Sequence, residues 1–475
     1  MKQIIKFLIL CLIFTSCNQS QHEQSQQNQQ TRWTRKNANS PSAQKDLEAL
    51  NKAMQIMRSK DCSDPLSWYY QGAIHWIPDT IKENKLCNYH TPADLKEAWD
   101  NCTHTPSGQE KIHFLVWHRL YIWHFEKIVR KLSGYQEFAL PYWGYTESGN
   151  NKVLPALLRD KNSSLYEEAR YDSLNAGQPV SGEILRALDL TKLMSYTNYH
   201  TFCMNINAAP HGAMHDYIGA GNDTTGTLQF QNKITGSITN TGLMGWVPTA
   251  GFDPVFWLHH SNIDRIWQQW TNSENGKAIT LEELNSVKWP YVFFDENGKK
   301  VEYTMDSLMK IIYTMDYDFD DVVVAPKKGL LTSVKTPTDT IVHVSVNKRV
   351  ANQITDAVTV KAKLKVTSKP NKVKMTLVVS FTKVPKGVYE VYNYHRKGND
   401  PSDDNFIGFM TFFGADHKMS GESCEKGCCR PLSKSGRPLF TFEFETDYCD
   451  EWNIDIYKDN GKHLGDLHIE KIIIQ

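Results

Sequence analysis

Residues 102–126 read CTHTPSGQEKIHFLVWHRLYIWHFE, residues 209–219 read APHGAMHDYIG and residues 253–270 read DPVFWLHHSNIDRIWQQW. From Ile112 to Leu132 the chain is apolar nearly all round, the pattern of a helix buried on most sides. Asn262 to Trp270 repeats it, with Ile263, Ile266, Trp267 and Trp270 on one side, and Asp253 with Pro254 supplies a helix start with proline in the first turn. Histidines inside helices this apolar need partners, because burying an unsatisfied imidazole is costly. Metal ligation is the simplest supply.

The histidines fall into two triplets, His75, His104 and His118, then His211, His215 and His260, which suggests two metal ions. His211 and His215 are one helical turn apart and can grip one ion. Zinc proteases place a glutamate between such a pair; here Gly212, Ala213 and Met214 intervene, so no general base accompanies them. His259 and His260 point about 100° apart on a helix, so one ion takes only one of them easily. Each histidine alone reads as readily as a core or surface residue; their conjunction carries the metal reading.

CTH, FLVWHR, PHGAMH and DPVFWLHHSNIDRIW resemble the two copper-binding regions of the tyrosinase, catechol oxidase and molluscan haemocyanin family, over residues 45–275. The resemblance implies His75, His104 and His118 as ligands of a first copper and His211, His215 and His260 as ligands of a second, with His259 a neighbour. The interval from His104 to His118 is longer than the family's usual one. Either TPSGQ is an insertion or His113 replaces His104; His113 stands about 140° round the helix from His118, a poor angle for a shared ion, so His104 is retained. Cys102 resembles the cysteine that forms a thioether to this ligand, with a disulfide to Cys62 or Cys87 as the alternative.

All-imidazole ligation suits copper, and a triplet with an open position equally suits zinc. Two triplets favour a pair of copper ions, which can take up dioxygen and move two electrons together. The resemblance then implies oxidation of small o-diphenols to o-quinones with dioxygen reduced to water. The alternatives are a tyrosinase that also hydroxylates monophenols, or a haemocyanin-like oxygen carrier. Proficient hydroxylases of the family are thought to use an asparagine just after the first ligand of the second copper, with an upstream glutamate. Gly212 takes that place, and Tyr196 to Pro210 contains no acid. Asp216 could supply a base from the other side, and Val247 matches the position of an aromatic gate in plant enzymes. The expectation is catechol oxidation with little hydroxylation.

The remaining chain frames this site. Lys plus Arg and Asp plus Glu both number 53, so no basic footprint suggests nucleic acid. Lys2 and Lys6, the apolar run Ile9 to Phe14, then Thr15 and Ser16 before Cys17 read as an export signal too short to span a bilayer. Cys17 resembles a bacterial lipoprotein processing site, which implies a lipid anchor on a bacterial cell membrane. NQSQHEQSQQNQQ cannot bury enough apolar surface to fold. After Pro326 the period becomes two, at residues 341–346, 358–366, 373–381, 388–394 and 439–445, the mark of antiparallel strands. Cys424, Cys428, Cys429 and Cys449 there read as disulfide bracing, or more sharply as copper delivery. WPYVFFDENGKKVEY and these strands resemble the linker and shielding domain of plant-type polyphenol oxidases, which implies latency. The expected architecture is a mainly α dicopper helical-bundle domain followed by an antiparallel β-sandwich-like C-terminal domain. Its divisions are a signal at 1–16, a tether at 17–31, the dicopper domain at 32–275, a linker at 276–335 and the β-domain at 336–475.

Overall fold

The computed structural model describes residues 32–76, 109–182, 184–219, 229–234, 236–324, 360–363, 371–394, 405–415, 432–433, 435–448, 451–458 and 467–474. The expected signal, tether, Cys17, Cys87, Cys102, His104, the strand at 341–346 and Cys424, Cys428, Cys429 and Cys449 lie outside these residues.

Six helices frame the first part of the chain: α1 (Gln44–Ser59), α2 (Trp68–His75), α3 (Phe114–Ser133), α4 (Tyr199–Ile206), α5 (Ala213–Ile218) and α6 (Val255–Asn272). Ser67 caps α2 by accepting from the Tyr70 amide, and Asn198 caps α4 by accepting from Thr201. α3 stops at Gly134, whose φ of 76° is the left-handed conformation that glycine adopts without penalty. α3 and α6 are buried on nearly all sides, as their apolar sequences require. Phe125 stacks on Trp257 between them, with centroids 3.6 Å apart.

Charge inside this packing is paired. Asp264 of α6 accepts from Arg119 Nε of α3 at 2.6 Å and from Arg35 NH1 at 2.9 Å, and also from the Tyr317 hydroxyl. Arg35 Nε donates to Glu126 of α3 at 2.7 Å, and Glu126 also pairs with Arg130. Arg35 ends strand β1 (Trp33–Arg35), which pairs in parallel with β2 (Tyr317–Phe319). The network therefore ties the two ends of the helical part to its two central helices.

The C-terminal part is built from β3 (Val360–Lys363), β4 (Lys372–Ser380), β5 (Val388–Tyr394), β6 (Phe406–Thr411), β7 (Leu439–Asp447), β8 (Glu451–Lys458) and β9 (His468–Ile474). They form two antiparallel sheets, in the orders β6-β5-β8-β3 and β7-β4-β9. Leu377 and Phe442 from one sheet and Val391, Met410 and Ile456 from the other share one apolar core. The mainly helical domain followed by an antiparallel β-domain is thus present. Strands β6, β8 and β9 were not among the segments expected from alternation: FIGFMT carries a glycine and apolar residues on both faces, so period two is masked.

β7 shows how the two parts meet. Phe440, Phe442 and Phe444 enter the sandwich core, and residues of the half-buried alternate face meet the helical part. There Asn205 Nδ2 of α4 donates to the Glu443 carbonyl at 2.8 Å, and His200 Nδ1 lies 2.8 Å from the Glu443 carboxylate. Lys192 Nζ donates to the Glu445 carbonyl at 3.2 Å, and Arg186 pairs with Glu390 of β5 at 2.7 Å. Arg186 and Lys192 on the helical side thus face Glu390 and Glu445 on the β side.

Candidate metal centre

Four segments bring six imidazoles together. His75 is the last residue of α2, His118 lies one turn into α3, and His259 and His260 lie in the second turn of α6. His211 precedes α5 in a wide helical turn, Asn207–Gly212, and His215 follows one turn later within α5. Ring centroids of His211 and His215 are 4.5 Å apart, those of His118 and His260 4.2 Å, and those of His75 and His118 5.7 Å. His211, His215, His259 and His260 each place one ring nitrogen within 4.8 Å of the others. All six are buried.

Three of these rings are held by backbone carbonyls. His118 Nδ1 lies 2.8 Å from the Phe114 carbonyl, His211 Nδ1 3.1 Å from that of Asn207 and His215 Nδ1 2.8 Å from that of Met244. A carbonyl only accepts, so Nδ1 carries the proton and Nε2 the lone pair, the tautomer a metal needs. Burial reinforces this by disfavouring the charged form. It pulls the His118 and His215 pKa values down to about 3 and holds those of His211, His259 and His260 well below the ordinary histidine value, the neighbouring imidazoles adding to the effect. Phe114 and Phe256 wall the cluster, at 4.7 Å from His211 and 4.2 Å from His260.

His113 stands apart. Its Nδ1 lies 2.8 Å from the Tyr291 hydroxyl and its Nε2 2.8 Å from the Val287 carbonyl, so both nitrogens bind the segment after α6 and neither faces the cluster. The structure thereby removes it as a substitute for His104. His259, expected as a neighbour of the ligands, lies within the cluster: its Nδ1 is 2.8 Å from the Tyr145 hydroxyl, while its Nε2 is buried with no hydrogen-bond partner. Neutral imidazoles gathered in one buried cluster fit a metal ion, whose bond to nitrogen replaces the hydration lost on burial. No carboxylate belongs to the cluster among the described residues. Asp216 follows His215 on α5 and is half-buried outside it, and Val247 is buried in the first turn of a short helix, Val247–Ala250.

The residue over the second pair of histidines comes from the β-domain. Phe413, just past β6, stacks on His215 with centroids 4.3 Å and planes 21° apart, and meets His211 edge-on at 5.9 Å. Sequence reasoning missed Phe413, since nothing local to the TFFG stretch announces a contact with residues some 200 positions earlier.

The model of the common central domain of tyrosinase matches this chain twice in overlap, at residues 65–184 and 154–273, which span every described histidine of the cluster. Residues 65–273 carry the tyrosinase family's common central domain. A tyrosinase of Hahella sp. is 28% identical over 306 residues, covering 56% of this chain and 59% of that protein. A chloroplastic polyphenol oxidase of Vicia faba is 26% identical, covering 63% of this chain and 50% of that protein. The chain thus matches between half and three fifths of the length of these relatives. Two solved structures share the fold over 94% of this chain: a latent aurone synthase (polyphenol oxidase), with a TM-score of 0.61 at 19% identity and 90% of that chain covered, and latent apple tyrosinase, with 0.59 at 20% identity and 97% covered. A tyrosinase-family centre takes a pair of copper ions, and the donor set here, dry neutral imidazole nitrogen, suits that metal.

Proposed function

We propose that this protein is a copper-dependent oxidase that converts o-diphenols to o-quinones, with dioxygen reduced to water, and that its C-terminal domain holds it latent. The observation that carries the reading is the buried histidine cluster whose Nδ1–H groups are committed to backbone carbonyls. In this reading His75, His118 and His104 hold the first copper, and His211, His215 and His260 hold the second. Bound copper supplies the two-electron exchange with dioxygen. The chain's own residues do the rest: the carbonyls of Phe114, Asn207 and Met244 aim the imidazoles, and Phe114 and Phe256 keep water from the rings. Phe413 lies flat where an aromatic substrate would approach His215, which supports latency. The absence of a carboxylate from the described cluster favours diphenol over monophenol chemistry.

The test is the copper-loaded full chain supplied with catechol or tyrosine under oxygen, before and after detergent. Quinone formation from catechol, with one dioxygen consumed per two catechols, supports the reading. Hydroxylation of tyrosine alongside catechol oxidation would favour the tyrosinase alternative, and no turnover of either in the detergent-treated protein would sink the oxidase.

Two finer proposals rest on sequence. Cys102 forms a thioether to His104, its thiol and a ring C–H giving up two hydrogens to dioxygen as copper is loaded; the intact mass tests it through a loss of two hydrogens that a thiol reductant, which would open a disulfide, does not restore. Cys17 carries a lipid anchor to a bacterial membrane, in keeping with the signal-like run before it; no helix among the described residues is long and apolar enough to cross a membrane. Incorporation of labelled palmitate, abolished by Cys17→Ser, is the expected result.

A further inference from the structure

The backbone of Gly212 gives no reason for a glycine. Its φ of −61° and ψ of −36° are ordinary right-handed helix, open to any residue, and glycine there disfavours the helix relative to alanine. The reason lies across the domain boundary. A Cβ at 212 would stand 2.6 Å from Thr411 Oγ1 and 3.4 Å from Phe413 Cβ, both of the β-domain, and 3.1 Å from the Asn207 carbonyl of its own turn. The last contact needs a shift of a few tenths of an ångström. The first is closer than atoms approach, and Thr411 cannot swing aside freely, because it is buried and its hydroxyl donates to the Ala208 carbonyl at 3.2 Å.

The same strand shows a second close approach. A Cβ on Gly408 would stand 3.0 Å from Asn205 Oδ1 of α4 and 2.5 Å from the Phe444 ring. The Tyr196 hydroxyl donates to the Ile407 carbonyl next to it at 2.9 Å. Strand β6 therefore lies almost backbone to backbone on the segment from α4 to His211, and Phe413 reaches His215 only because this strand comes so close.

We infer that the missing side chain at 212 is what admits the C-terminal domain to the metal centre: residue 212 sets whether β6 seats and Phe413 reaches His215. This rests on the latency reading for its consequence in turnover, but not for its structural content. Any side chain at 212 holds β6 off while leaving the local helix intact.

The test uses the full chain as wild type, Gly212→Ala, Thr411→Gly and the double variant, each loaded with copper. Two quantities are read: hydrogen exchange of the amides at 406–411, and catechol turnover without detergent. Gly212→Ala is expected to speed exchange at 406–411 by roughly tenfold or more, the scale on which overpacking a tight contact acts. Turnover rises with it at unchanged copper content, and the double variant restores both towards wild type, since the obstructing hydroxyl is gone. Unchanged exchange in Gly212→Ala would overturn the inference. So would loss of copper in Gly212→Ala that the double variant does not restore, because that would assign Gly212 to the metal centre instead. Faster exchange with no gain in turnover would support the steric role and remove latency, so the two readings fail separately.

Discussion

The Phe413 ring lies on the His215 imidazole, centroids 4.3 Å apart, although the two residues belong to different domains. An aromatic side chain delivered on its own strand competes with a free phenol at an effective concentration in the millimolar range, as tethered groups do. Removing it leaves the histidines and their carbonyl partners untouched. Phe413→Ala in the full chain is therefore expected to raise catechol turnover without detergent by roughly tenfold or more at subsaturating substrate. Oxygen uptake measures it, and an unchanged rate would show that the ring does not obstruct the substrate.

Acid should loosen the same interface. Burial by itself would raise the Glu443 pKa, but the hydrogen bond and charge of His200 on α4 and the Lys374 ammonium on β4 outweigh it and hold the carboxyl at about 2. Glu445, on the same strand, has Thr197, Lys192 and Lys372 beside it. Once undocked and solvated, Glu443 returns towards the ordinary glutamate value near 4.3. The docked form then binds fewer protons, so docking is fully favoured above about pH 4.3 and weakens as pH falls towards 2. Small-angle scattering should show the radius of gyration growing across that window, with Glu443→Gln already expanded at pH 6 and flat through it. A wild-type radius constant down to pH 2.5 would remove Glu443 as the sensor.

The pair at His259 and His260 separates by its partners. His259 Nδ1 engages the Tyr145 hydroxyl, whereas His260 stacks on His118 at 4.2 Å, between the two groups of histidines. His260→Gln is expected to lower bound copper from two ions per chain towards one, and His259→Gln to keep both. Elemental analysis of the folded variants decides it, and the reverse pattern would exchange their roles.

Much of this was legible in the chain because the deciding signals are local. The all-apolar stretches around His118 and His260 are α3 and α6, and VKMTLVVSF and LFTFEFE alternate because each strand has one face in the sandwich core. What escaped depends on distant partners. Whether His113 faces a metal turns on Tyr291 and Val287, far along the chain. Adjacent helical side chains point about 100° apart, yet His259 and His260 both reach the cluster, because His211 and His215 arrive from another segment and lie against both. Gly212 read as the loss of a catalytic side chain, and its packing against Thr411 shows only in three dimensions.

Asp264 is where the helical domain is most vulnerable. It is 4% exposed and accepts from Arg35, Arg119 and Tyr317, so it neutralises two buried guanidinium groups at once. Replacing a whole buried ion cluster by apolar residues can be neutral, but removing one partner strands the opposite charge and costs about 3–5 kcal/mol. Asp264→Ala should therefore unfold at markedly lower urea, by 3–5 kcal/mol from the linear extrapolation. Asp264→Asn keeps the shape yet loses the charge, and should fall between Ala and wild type. A change below about 1 kcal/mol for Asp264→Ala, the range of exposed pairs, would mean that the cluster is hydrated and that α3 and α6 are held by their aromatic packing alone.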